Sequence, residues 1–265
     1  MAVRRAVARC RLALLGLLAL PCGLGFACAP HGKLRPRAAE EVARGYAHLR
    51  AGDPERAEVA FEHALEFDPR FPEARNGLGV VERRRGRTAA ARLCFEEALA
   101  LDPDFAEAHV NLGESLLALG DPDRAAEEFR AALEIDPDLA DARLDLARAL
   151  LHRGRAEPAR RDVLWSEARR EYLHLLESAP DLADAWHDLA FMDYERRAFA
   201  RAEGEYRRAV DLEPAFVEAL HGLCLARVRL GRCREGAEAC RRCLDVAPAT
   251  ARCEQSLAAA LACAP

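Results

Sequence analysis

"LALDPDFAEAHVNLG" occupies Leu99–Gly113. A near copy, "LEFDPRFPEARNGLG", occupies Leu65–Gly79, and another, "LEIDPDLADARLDLA", occupies Leu133–Ala147. The Asp-Pro pairs at 68–69, 102–103 and 136–137 stand 34 residues apart, and the series continues at Pro180, Pro214 and Pro248 after steps of 43, 34 and 34. A fixed period in this range marks an array of stacked supersecondary units. Proline cannot continue a helix. Each phrase therefore reads as a joint, the end of one helix and the start of the next unit.

Further columns keep the same register. Ala57, Ala91, Ala125, Ala168 and Ala202 form one, with Gly236 as its sixth member. Phe61, Phe95, Phe129, Tyr172 and Tyr206 form another. Gly52, Gly86, Gly120, Gly154 and Gly231 form a third, which Arg197 breaks. These columns resemble the tetratricopeptide repeat family over about residues 38–250. The resemblance implies an all-α fold, a right-handed solenoid of six helix–turn–helix repeats at 38–71, 72–105, 106–139, 140–182, 183–216 and 217–250. Glycine would end the first helix of each pair, alanine would let the helices approach, and the aromatic would fill the space between them. Residues 251–265 hold an amphipathic capping helix, with Leu257 and Leu261 expected inward to cover the last apolar face. Repeat 4 carries nine extra residues between Gly154 and Ala168. They are expected to lengthen its internal turn around Pro158. Trp165 beside them has two readings, a partner anchor or a side chain folded back onto its own repeat.

The chain has 265 residues, of which 51% are hydrophobic, 31% charged and only 6% aromatic. This suits helices and argues against a large sheet. The net charge of −5 comes without a basic stripe interleaved with aromatics, so nucleic acid is not the expected partner.

The start reads as an export signal. "MAVRRAVARCR" has four arginines and no acid, and "LALLGLLAL" (Leu12–Leu20) is an apolar core too short to span a bilayer comfortably. Residues 1–27 are read as the signal, and their loss would leave a charge of −9. Gly25-Phe26-Ala27-Cys28 resembles a bacterial lipobox, although Gly25 stands where Leu is usual. The resemblance implies lipidation at Cys28, a linker over 28–37, and an outer-membrane protein facing the periplasm. Plain cleavage near Ala27 or Ala29, giving a soluble periplasmic or secreted protein, is the alternative.

Cys224, Cys233, Cys240, Cys243, Cys253 and Cys263 crowd into the forty residues 224–263. An even cluster in an exported protein reads as disulfides. Residues facing each other across a helical hairpin share a midpoint at its turn. Cys224 and Cys240 bracket 232, while Cys243–Cys253 and Cys233–Cys263 both bracket 248. The favoured pairs are therefore 224–240, 233–263 and 243–253. Zinc and buried thiols are the alternatives, but no second tight cysteine pair accompanies "CRRC" at 240–243.

No nucleophile elbow, P-loop, HExxH or glycine-rich dinucleotide loop occurs. The expectation is a non-catalytic scaffold with no cofactor and no metal. In the repeat family the first helices line a concave face. The positions expected in that groove here include Tyr46, Asn76, Val80, Arg84, Asn111, Leu117, Leu144, Arg148, Leu151, His187, Phe191, Tyr194 and Leu225. They form an apolar strip with polar clamps, suited to an amphipathic segment of a protein client. The Lys/Asn set with which some family members hold a terminal carboxylate is missing. Six repeats behind a lipid anchor resemble the type IV pilus pilotins, which implies a secretin subunit as client. A periplasmic scaffold for other envelope assembly or gliding machinery is the alternative.

Overall fold

A computed structural model describes residues 35–263. The predicted signal, Cys28 and the first part of the linker lie outside the described residues. Thirteen helices and no strand occur among the described residues. They are α1 (Arg35–Arg50), α2 (Pro54–Phe67), α3 (Pro72–Arg84), α4 (Thr88–Leu101), α5 (Ala106–Ala118), α6 (Pro122–Ile135), α7 (Ala140–Ala156), α8 (Arg161–Ser178), α9 (Ala183–Glu195), α10 (Phe199–Leu212), α11 (Val217–Arg229), α12 (Cys233–Val246) and α13 (Ala251–Cys263). The described residues form two compact units, divided between Ala149 and Leu150 inside α7. In each, helices pack mainly on their neighbours in sequence, the packing of a tetratricopeptide-repeat solenoid.

The repeated Asp-Pro has a local cause. Asp68, Asp102 and Asp136 close α2, α4 and α6 in extended conformation, with φ of −141°, −140° and −132°. A residue before proline is held out of the helical region. Each aspartate then accepts a hydrogen bond from the N–H two residues on, at Arg70, Asp104 and Asp138. This Asx turn redirects the chain into the next unit. Asp53 and Asp121 cap α2 and α6 by accepting from the N–H of Arg56 and Arg124, ahead of prolines at the first helical position.

In the first unit the aromatic column packs against glycine. Phe61 lies between Gly45 and Gly77, Phe95 against Gly79, and Phe129 against Gly113, and none of these glycines has room for a Cβ. All three rings are fully buried. In the second unit Tyr206 plays the same part against Gly222. The sixth repeat departs. Cys240 stands 34 residues after Tyr206, and Cys224 stands 34 after Ala190. The Cys224–Cys240 disulfide fills the place where the other repeats put a ring against a small residue, with Cα atoms 5.4 Å apart.

The turn glycines Gly52, Gly86, Gly120 and Gly231 have φ between 73° and 82°. Arg197 takes the same left-handed turn at φ 60°. Gly154 does not end its helix as expected; it lies inside α7, against Trp165. The nine inserted residues are also placed differently from the expectation. α7 has 17 residues where α9 has 13, and α8 has 18 where α10 has 14. The insertion therefore adds about one helical turn to each helix and a single residue to the connection. Each added turn continues an existing hydrogen-bond ladder, which leaves fewer backbone groups unpaired than a longer loop would.

α13 covers the end of the second unit. Cys253 and Ala260 are buried and Leu257 packs on the core. Leu261, expected inward, is 50% exposed. It follows the Cys253–Leu257–Ala260 stripe by one residue, roughly 100° further round the helix.

Candidate interaction surfaces

The first unit has a cleft of about 320 Å³ between α1, α3 and α5. Tyr46, Leu49 and Val80 give it apolar walls, and Arg50, Arg83, Arg84, Glu107 and Asn111 give it charge and hydrogen bonds. A polar ladder lies behind it. Asn76 Nδ2 donates to Tyr46 Oη at 3.0 Å and to Glu107 Oε1 at 3.2 Å. Asn111 Nδ2 donates to Asn76 Oδ1 at 3.0 Å, and Arg83 donates to Asn111 Oδ1 at 3.1 Å. Both asparagines are buried, so these bonds are what make their burial tolerable. Arg83 also pairs with Glu114, and Arg84 donates to the Leu49 carbonyl at the end of α1. Burial, with Arg84 adjacent, holds the Arg83 pKa below its ordinary value, and Asp145 opposes this. Burial and then Glu107 push the Tyr46 phenol up.

In the second unit α9 carries a row of rings. His187 lies against Tyr206 and Phe216, with centroids 5.7 and 5.1 Å away. Phe191 meets the Trp165 ring edge-on at 6.1 Å. Tyr194 packs on Phe199 at 5.3 Å, and Arg229 reaches its hydroxyl. Trp165 is 1% exposed and donates from Nε1 to the Leu151 carbonyl at 3.1 Å. It folds back on its own repeat and offers nothing to a partner.

Of the residues expected in the groove, Arg84 is exposed, and Tyr46, Val80, Leu117, Leu144, Arg148, His187, Phe191, Tyr194 and Leu225 are half-buried. Asn76, Asn111 and Leu151 are buried, and of the three only Asn111 touches the cleft. The asparagines are consumed by the ladder, and Leu151 lies in the α7–α8 core. In the first unit Arg50 lines the cleft beside Arg83 and Arg84.

Behind the α9 row lies an acid pair. Asp193, 1% exposed, accepts from Arg169 at 2.9 Å, with Arg201 at 3.4 Å. Arg169 also bonds Glu205 at 3.2 Å. Burial, and then the Asp193 charge, push the Glu205 carboxyl up to about 7. Asp193 Oδ1 and Glu205 Oε2 meet no donor. A proton held on one carboxyl would supply it.

The six C-terminal cysteines form three disulfides. Besides Cys224–Cys240, Cys233 is joined to Cys263 and Cys243 to Cys253, with Cα atoms 5.7 and 6.3 Å apart. Two of these bonds tie α13 to α12. His221 bonds Ser256 on α13 at 3.0 Å. Among the described residues no cluster of three or more metal-binding side chains occurs. No helix among them is long and apolar enough to cross a membrane.

The tetratricopeptide repeat model matches residues 42–104, 82–140 and 110–164. No curated protein matches the sequence. Among solved structures the chain is similar to PilF of Pseudomonas aeruginosa, at 18% identity over 85% of this chain and 98% of that one, with a TM-score of 0.71. It is similar to PilW, described as a widely conserved type IV pilus biogenesis factor, at 20% identity over 83% and 98%, with a TM-score of 0.66. It is also similar to YrrB, described as having an unusual peptide-binding site, at 23% identity over 74% and 98%, with a TM-score of 0.59. At these identities the likeness is one of fold. Residues 42–164 carry tetratricopeptide repeats, and the same packing of neighbouring helices continues in both units.

Proposed function

We propose that the protein is a non-catalytic envelope scaffold that assists type IV pilus biogenesis, in the manner of a pilotin that helps a secretin assemble. Tetratricopeptide repeats serve as surfaces for protein segments, and the cleft of the first unit offers apolar walls beside fixed hydrogen-bonding groups, the usual make-up of such a surface. The observation that carries the finer reading is the fold-level likeness to PilW over 98% of that chain. The sequence of the N-terminus supports export and a lipid anchor at Cys28, which would hold the scaffold at the outer membrane. The client in this reading is an amphipathic segment of a secretin subunit.

Deleting the gene in its own host and counting surface pili tests the reading. Pili should vanish, return with the parent gene, and fail to return with Val80→Asp/Arg84→Glu, which inverts the chemistry of the cleft mouth. Cys28→Ala should release the protein from the membrane. Unchanged piliation in the deletion strain would remove the pilus reading and leave an envelope scaffold for other machinery.

A further inference from the structure

The insertion in repeat 4 places arginines on an aromatic pair. Residues 153–161, "RGRAEPARR", hold four arginines and one glutamate. That Glu157 is engaged by Arg153 and Arg160. The next acid, Asp162, is engaged by Arg196. Arg155 and Arg161 have no carboxylate within ion-pair distance among the described residues. Each lies on a ring instead. Arg155 Cζ is 4.0 Å from the centroid of Phe191, and Arg161 Cζ is 5.1 Å from that of Trp165. The two rings are themselves in edge contact. Arg161 is further fixed by the bond from its Nε to the Gly154 carbonyl at 3.2 Å.

The chemistry of such an arrangement is specific. Guanidinium N–H bonds lie in the plane of the group, so a ring beneath its face attracts the charge without consuming the donors. The stacked group also loses less freedom when a carboxylate arrives, because its orientation is already set. Two carboxylates can then be gripped through paired N–H···O bonds. Structural need does not account for the site, since the neighbouring pair α9–α10 closes without the extra turns.

We propose that Arg155 and Arg161 form a docking site for an acidic segment of a partner protein. This rests on the scaffold reading above and adds the chemistry of one contact to it. Charge complementarity selects this occupant: the stretch carries three more cations than anions in a chain whose net charge is −5.

The test uses the full chain and fluorescein-labelled decaglutamate, followed by anisotropy in low salt. Decalysine serves as the control peptide and phosphatidylglycerol vesicles as the rival anionic surface. The parent should bind decaglutamate and not decalysine. Arg155→Gln/Arg161→Gln should bind it at least about tenfold more weakly. Arg207→Gln/Arg208→Gln, which removes two exposed arginines of α10, should bind as the parent does. Circular dichroism and melting establish that each variant is folded. If the double variant is not, Arg155→Gln alone serves, because that side chain is exposed. The proposal is overturned if the parent ignores decaglutamate, if the folded Gln variants bind it undiminished, or if only vesicles are bound. None of these outcomes depends on pili, so failure here is distinct from failure of the pilus reading.

Discussion

Glu205→Gln should make the protein more stable in mild alkali and change it little in acid. The Glu205 carboxyl is raised from 4.5 to about 7 by burial and by Asp193. A carboxyl raised on folding keeps its proton in the native state while the unfolded chain gives it up. Below about 4.5 both states are protonated and there is no cost. Above about 7 both are ionised, and the native state bears the full penalty, on the order of 3–4 kcal/mol at about 1.4 per unit. Stability from this group therefore falls as pH rises through that window. Between pH 5 and pH 8 the loss is on the order of 2–3 kcal/mol. Glutamine cannot ionise, so the variant should gain about that much on the parent over the same interval. Arg169 opposes the rise and is already counted in that value. Urea unfolding at both pH values, followed by circular dichroism, measures it. Equal variant-minus-parent differences at the two pH values would refute the shared-proton account.

Gly113→Ala should destabilise by about 1–3 kcal/mol, because a Cβ there would stand 2.6 Å from Phe129 Cε1; a melting temperature equal to the parent's would contradict that packing. Arg197→Gly should stabilise by up to about 1 kcal/mol, the relief of a left-handed residue less the added freedom of the unfolded chain, as read by urea titration. Cys224→Ser/Cys240→Ser removes a cross-link between residues 16 apart, a loss of about 3 kcal/mol. Cys224→Ala/Cys240→Tyr should lose less, since it restores the small-residue and ring pair used at Ala190 and Tyr206.

The fold was legible because its causes are local and repeated. Asp-Pro writes an Asx turn and a helix stop within three residues, so a period of 34 could be read directly. The insertion was legible as a length and not as a shape, because extra residues can extend a loop or two helices. The lengths of α7 and α8 show that helices won, with Gly154 making room for Trp165 between them. The inwardness of Leu261 failed for a similar reason: two leucines four apart share a face only approximately, and the buried stripe chose Ala260. The asparagine ladder was invisible in sequence, since Asn76 and Asn111 satisfy each other across repeats. The repeat columns themselves carry the cysteine pairing. Cys240 falls in the aromatic column and Cys224 in the small-residue column, which points to a contact between them without any argument from hairpin midpoints. The stacked arginines depend on a ring from α9, distant in sequence from the insertion, and so could not be read from its composition.

The central claim is tested most directly by the state of the secretin in the outer membrane of a strain lacking this gene. Membranes are extracted in detergent without boiling, and the secretin is detected by immunoblot. The account predicts secretin present as monomer and absent as the heat-resistant ring, with the ring restored by the parent gene. A full complement of rings in the deletion strain would contradict it.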